Sequence, residues 1–87
     1  MGMLKNFIDG VANAKVLPVA LTIENLGNPV KVQVYLKKND AVYKNVGTYV
    51  GNLEAFWSND DAVVIKLKGL EKIVTTWEDH HVSVERK

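Results

Sequence analysis

The run that follows Pro29 constrains the fold of this chain more than any other feature. Apolar Val30, Val32, Val34 and Leu36 alternate there with Lys31, Gln33, Tyr35 and Lys37. Successive side chains of a β-strand point to opposite faces, so this period of two predicts a strand with one buried face. The rest of the chain must provide the sheet and the core that cover that face.

Four further strands are predicted downstream. The second covers residues 48–57 with Gly51 in its middle, the third covers 62–68, and two short strands cover 70–78 and 81–85 around Asp79 and His80. The turn residues Lys38, Asn39 and Asp40 begin a loop that we expect to continue to Gly47, and residues 58–61 predict a turn. Five short strands with brief connections predict a small barrel or a strongly bent sheet.

The first 26 residues are less regular. Residues 3–14 place Leu4, Phe7, Ile8, Val11 and Ala12 at helical spacing and predict a short helix. Residues 16–26 fit two patterns, since Val19, Leu21 and Ile23 alternate as in a strand while Pro18 and Gly27 flank them as at the ends of a helix. The sequence leaves helix and strand open there.

Length and composition narrow the class of protein. A chain of 87 residues forms one domain, which we divide into an extension (1–26) and a barrel (27–86). With no cysteine, no secretory leader and no apolar run long enough to span a bilayer, we expect a cytoplasmic protein without a membrane partner. The net charge of +1 is weaker than that of typical duplex-DNA binders, so DNA binding is a remote third alternative.

The strand pattern resembles the Sm-like family. The residues that carry the resemblance are 27–37, then 47–56 with Gly51, Leu53 and Phe56, and then the aliphatic run 62–67; together they resemble the first Sm motif. Residues 77–84, with His80 before the last strand, resemble the second motif in its bacterial Hfq form. A small barrel of another kind, such as an SH3-like one, is the alternative.

The resemblance implies a mainly β, five-stranded, strongly bent barrel that assembles into a ring of hexamer to octamer size and binds single-stranded RNA. Gly51 is the expected bend, because a residue without Cβ permits a sharp turn of the strand. The chain departs from the family at residues 57–61, which are slightly longer, and at Glu78 and Asp79, where a basic residue is usual.

Five residues are the candidates for RNA binding: Trp57, Asn59, His80, Lys66 and Lys68. The indole of Trp57 could stack on a base or pack against the protein, and the lysines, repeated around a ring, could attract phosphates. The second functional alternative is a structural or protein-interaction ring that does not bind RNA, with Asp60, Asp61, Glu78 and Asp79 repelling it.

Catalysis and cofactors are not expected. The chain has no cysteine nucleophile, no serine, histidine and carboxylate at a recognisable spacing, and no glycine-rich phosphate loop. The adjacent His80 and His81 would point to opposite faces of a strand and would not share a metal ion. The sequence therefore predicts no enzyme, no cofactor, no metal site and no small-molecule substrate.

Overall fold

The computed structural model describes residues 16–39 and 41–87, and in this part of the chain it is mainly β. The strands are β1 (Pro29–Lys38), β2 (Ala41–Ser58), β3 (Ala62–Leu67), β4 (Ile73–Thr76) and β5 (His80–Arg86). They form one antiparallel five-stranded sheet in the order β4-β3-β2-β1-β5. The predicted helix over residues 3–14 lies outside the described residues.

The strand predicted after Pro29 is confirmed as β1. Val30, Val32 and Val34 are buried, whereas the lysines and other polar residues between them are not. β1 pairs with β2 along one edge and with β5 along the other, which places its valines in the middle of the sheet. The buried face of β1 thus forms one side of the core.

The long loop predicted over residues 39–47 is wrong. Lys38 pairs directly with Ala41, so two residues connect β1 to β2, and Asn39 takes a positive φ of 52° that asparagine tolerates better than most residues. β2 begins at Ala41, and register shifts leave Tyr43 and Val46 without a partner in β1. Since neither face of this half of β2 is buried, it lacks the alternation that reveals a strand.

Residues 16–26 form neither the helix nor the strand that the sequence left open. They make turns and a three-residue 3₁₀ helix, Ile23–Asn25. Leu21 is buried in the core, and the side-chain amide of buried Asn25 donates to the Ala20 carbonyl oxygen at 2.8 Å. Gly27, with φ at 87°, then turns the chain so that its N–H donates to the Leu53 carbonyl oxygen at 2.7 Å.

The last two strands also differ from the prediction. β4 has four residues instead of nine, because the turn after β3 continues through Gly69, whose φ is 83°, and residues 77–79 form another turn. His80 belongs to β5, where it pairs with Leu36, and does not lie in the connection between the strands. The last strand thus begins one residue earlier than predicted.

The sheet is curved, as its connections require. β4 and β5 lie at opposite edges, which in a flat five-stranded sheet would be about 19 Å apart. Only residues 77–79 connect them, and the four Cα steps from Thr76 to His80 span at most about 15 Å. The side chains of Thr76 and His80 meet at 3.0 Å. Within the described residues no backbone ladder joins β4 to β5, so both edges remain open.

Gly51 lies where β2 exchanges partners. β2 pairs with β1 up to Asn52 and with β3 from Leu53 onward, and the register shifts between Leu53 and Ala55. A Cβ added to Gly51 would lie 3.3 Å from the Cβ of Leu67, which is fully buried. This contact is tight enough that a larger side chain would displace β3. The core that it borders comprises Leu21, Val30, Val32, Val34, Leu53, Val63, Ile65, Leu67, Ile73 and Val84.

Candidate nucleic-acid interface

The structure separates the five residues predicted to bind RNA. Trp57 and Lys66 border one depression in the sheet, Asn59 lies in the turn between β2 and β3, and His80 begins β5. Lys68 follows β3 at the other end, where its backbone N–H donates to the Asn52 carbonyl oxygen at 2.9 Å. About 20 Å of strand separates Lys68 from the β2–β3 turn, at 3.3 Å per residue. These residues therefore do not form one compact site.

Of the five predicted residues, Trp57 and Lys66 line a depression that could hold a ligand. We call it the Trp57 patch; it is lined by Ala55, Phe56, Trp57, Val64, Lys66 and Lys72 and has a volume of about 290 Å³. Trp57 pairs with Val64 of β3, which in turn pairs with Val74 of β4, so an apolar row crosses three strands. The side chains of Trp57 and Val74 are 54% and 59% exposed. An exposed indole beside lysines can stack on a base while the lysines attract phosphate.

The two lysines of the Trp57 patch differ in how freely they could contact an anion. The Nζ atom of Lys66 lies 3.6 Å from a carboxylate oxygen of Glu54 and donates to the Leu67 carbonyl oxygen at 2.9 Å. The ion pair is partly exposed and contributes little energy, but together with the Leu67 hydrogen bond it restrains the ammonium group of Lys66. Lys72 is exposed and was not among the predicted RNA-binding residues. It lies just before β4, and only the folded sheet brings it beside Trp57.

Asn59 has a structural role that its position in a polar turn did not reveal. Its side-chain oxygen accepts from the backbone N–H groups of Asp61 at 2.8 Å and Ala62 at 2.9 Å. The backbone N–H of Asn59 donates to the Ala62 carbonyl oxygen at 3.0 Å. Such a side chain substitutes for backbone groups in closing a turn. Only the amide nitrogen of the side chain is left to contact a base.

The β2–β3 turn and the β4–β5 turn touch each other. The indole N–H of Trp77 donates to the Asn59 carbonyl oxygen at 2.7 Å, and the backbone N–H of Trp77 donates to the Asp61 carbonyl oxygen at 3.0 Å. The joined turns carry four exposed carboxylates, those of Asp60, Asp61, Glu78 and Asp79. These carboxylates would repel phosphates from the turns themselves, whereas the Trp57 patch on the adjoining strands carries two lysines.

His80 is held at the junction of the two open edges. Its Nδ1 atom accepts from the backbone N–H of Thr76 at 3.3 Å and lies 3.0 Å from the Thr76 hydroxyl oxygen. A ring nitrogen that accepts carries no proton, so the proton of the neutral imidazole lies on Nε2. His80 thus connects β4 to β5 through Nδ1, and its second nitrogen is left as a donor.

Other kinds of site have no support in the described part of the chain. Residues 16–39 and 41–87 contain no group of three histidine or carboxylate residues placed to hold a metal ion. No helix in these ranges is long and apolar enough to cross a membrane.

Comparison with family models, with curated proteins and with solved structures gives no match for this chain.

Proposed function

We propose that this chain is a cytoplasmic, Sm-like, ring-forming subunit that binds single-stranded RNA without catalysis. The observation that supports the proposal is the Trp57 patch, in which a half-exposed indole lies beside Lys66 and Lys72. Base stacking on an aromatic side chain contributes about 1–3 kcal/mol per base and tolerates any sequence. One such patch binds weakly, but a ring would repeat it in every subunit.

The ring is supported by the two open strand edges. β4 and β5 each have one edge without a partner among the described residues, and the turn at 77–79 brings the end of β4 close to the start of β5. Unpaired backbone groups on a strand edge promote pairing with another chain. Pairing β4 of one subunit with β5 of the next is a head-to-tail contact, which closes into a ring when the rotation between subunits permits. We expect a ring of six to eight subunits, as the Sm-like resemblance implies.

A protein-interaction ring that does not bind RNA is the second candidate. It is favoured by the four carboxylates on the joined turns, of which Asp60 and Asp61 lie in one turn and Glu78 and Asp79 in the other. In a ring these groups would repeat in every subunit and produce an acidic surface. Such a surface suits a basic protein partner better than RNA.

A titration of fluorescent oligonucleotides separates these functions. The protein is added to oligo-U, oligo-A and duplex DNA at several salt concentrations, and fluorescence anisotropy is measured. RNA binding through the Trp57 patch predicts saturable binding to both single strands, weaker binding to the duplex, and an affinity that falls as salt increases. If neither single strand binds at low salt, the protein-interaction function replaces RNA binding.

A further inference from the structure

A second depression, separate from the Trp57 patch, lies beneath residues 16–19 where β4 meets β5. It has a volume of about 290 Å³. Leu17 and Pro18 form one wall, and Val63 and Val82 contribute apolar side chains from the sheet. We call it the junction cavity. Its size is at the lower end of the range for ligand sites, which suits a molecule with one or two rings.

One wall of the junction cavity is a fixed aromatic ring. Trp77 lines the cavity, packs against the core and is anchored through its indole N–H to the Asn59 carbonyl oxygen at 2.7 Å. A ring held by a hydrogen bond loses little further freedom when a flat molecule packs against it. The cavity therefore favours an aromatic or other flat apolar body.

The ionisable residues that line the junction cavity are all basic. They are Lys37, His80 and His81, and no carboxylate residue is among those that line it. His80 accepts from the Thr76 N–H through Nδ1, which leaves Nε2 as a hydrogen-bond donor. Thr76 lines the same cavity. Donors and positive charge beside an apolar pocket recognise an anion attached to an apolar body.

We propose that the junction cavity binds a small organic anion, an aromatic carboxylate or phosphate monoester, as a ligand that the protein does not transform. The flat body would lie against Trp77 between Leu17 and Val82, and the anionic group would face Lys37 and His80. This proposal does not depend on RNA binding, because the Trp57 patch is a different surface.

Tryptophan fluorescence can report on this cavity alone. The chain has two tryptophans, so Trp57→Phe leaves Trp77 as the single one and also removes the stacking residue of the Trp57 patch. Phenyl phosphate is titrated into this variant beside inorganic phosphate, benzyl alcohol and benzylamine. We expect a saturable change in Trp77 fluorescence with phenyl phosphate and at least about tenfold weaker binding of the other three, since each lacks the anion or the ring.

Two lysine variants in the same background test whether the cavity itself provides the anion contact. Lys37→Met should weaken phenyl phosphate binding about tenfold, because it removes a charged partner. Lys38→Met is the matched control: Lys38 is the next residue, is exposed and does not line the cavity, so the affinity should not change. His80→Asn, whose Oδ1 atom takes the place of Nδ1 as acceptor for the Thr76 N–H but which has no donor at the position of Nε2, should also weaken binding with little change in the melting temperature.

Three results would overturn the proposal. The first is no saturable change in Trp77 fluorescence with phenyl phosphate. The second is benzylamine binding as tightly as phenyl phosphate, which would mean that charge plays no part. The third is an equal loss of affinity in Lys37→Met and Lys38→Met, which would indicate general attraction to a basic surface.

Discussion

The indole N–H of Trp77 donates to the backbone carbonyl oxygen of Asn59 at 2.7 Å and ties the β4–β5 turn to the β2–β3 turn. The first turn leads into β3 and the second follows β4, and these two strands are neighbours in the sheet, with Ala62 and Thr76 as their last pair. The bond therefore extends the contact between β3 and β4 into the turns and holds the end of β4 in position. In the proposed ring, this end of β4 would lie close to the next subunit.

Loss of this bond should destabilise the fold. Trp77→Phe keeps an aromatic ring against the core but removes the donor, and we expect the free energy of unfolding to fall by about 1 kcal/mol or more. Urea denaturation measures the change. Trp57→Phe is the control, because the Trp57 side chain is exposed, and its effect should stay within about 0.5 kcal/mol. Equal losses in the two variants would show that the Trp77 bond contributes nothing specific.

Gly51 should not tolerate a branched side chain. Because an added Cβ would already lie 3.3 Å from the Cβ of Leu67, the methyl groups of Gly51→Val would force β3 away from β2. Overpacking of this kind costs about 1–3 kcal/mol. Ala55→Val is the control, since it enlarges an exposed residue of the same strand. Thermal unfolding should show a lower midpoint for Gly51→Val alone, and a midpoint equal to that of the parent would contradict a close approach at Gly51.

The role of Asn59 in its turn can be separated from a role in RNA binding. Asn59→Ala removes the acceptor of two backbone N–H groups and should cost about 1–2 kcal/mol of stability. Asn59→Asp keeps the acceptor and loses only the amide donor. In about 0.5 M salt, which screens repulsion from Asp60 and Asp61, its stability should match that of the parent. A stable Asn59→Ala variant would show that the turn does not need this side chain.

Trp57 should be required for binding of single-stranded RNA. Trp57→Ala should weaken oligo-U binding by about 1–3 kcal/mol for each base stacked on the indole. Tyr43→Ala is the control, because Tyr43 is an aromatic residue of β2 that is 62% exposed and distant from the patch along the strand. Fluorescence anisotropy at one fixed salt concentration compares the two. If the tyrosine variant loses as much affinity as the tryptophan variant, the Trp57 patch is not the binding surface.

The strands that bury one face or both could be predicted from the sequence, whereas the half of β2 that buries neither face could not. β1 and β3 have valine, isoleucine and leucine on the core face, and these strands were found close to their true ends. The first half of β2 is exposed on both faces and is held only by pairing with β1, so its residues read as a loop. Residues 16–26 gave conflicting signals because Leu21 and Asn25 are buried separately, in turns that have no period.

The candidate site was predictable in its residue types but not in its arrangement. The sequence identified Trp57 as an aromatic residue beside a polar turn, and the structure leaves it half exposed. It did not reveal that the Asn59 side chain closes its own turn, although that contact is local to residues 59–62. It could not reveal that Trp77 reaches across to that turn, because this contact depends on the pairing of β3 with β4. The sequence did not place Lys72 beside Trp57, since only the folded sheet brings the two together.

The molar mass in solution tests the central claim most directly, because the ring gives both the open strand edges and the repeated Trp57 patch their function. Gel filtration with multi-angle light scattering on the full chain at micromolar concentration should give a single species of six to eight times the 9.7 kDa of one subunit. The Trp57→Ala variant should have the same mass, since Trp57 is not at the β4–β5 edges. A monomeric mass of 9.7 kDa would contradict the ring and leave both open edges without the partner that this account assigns to them.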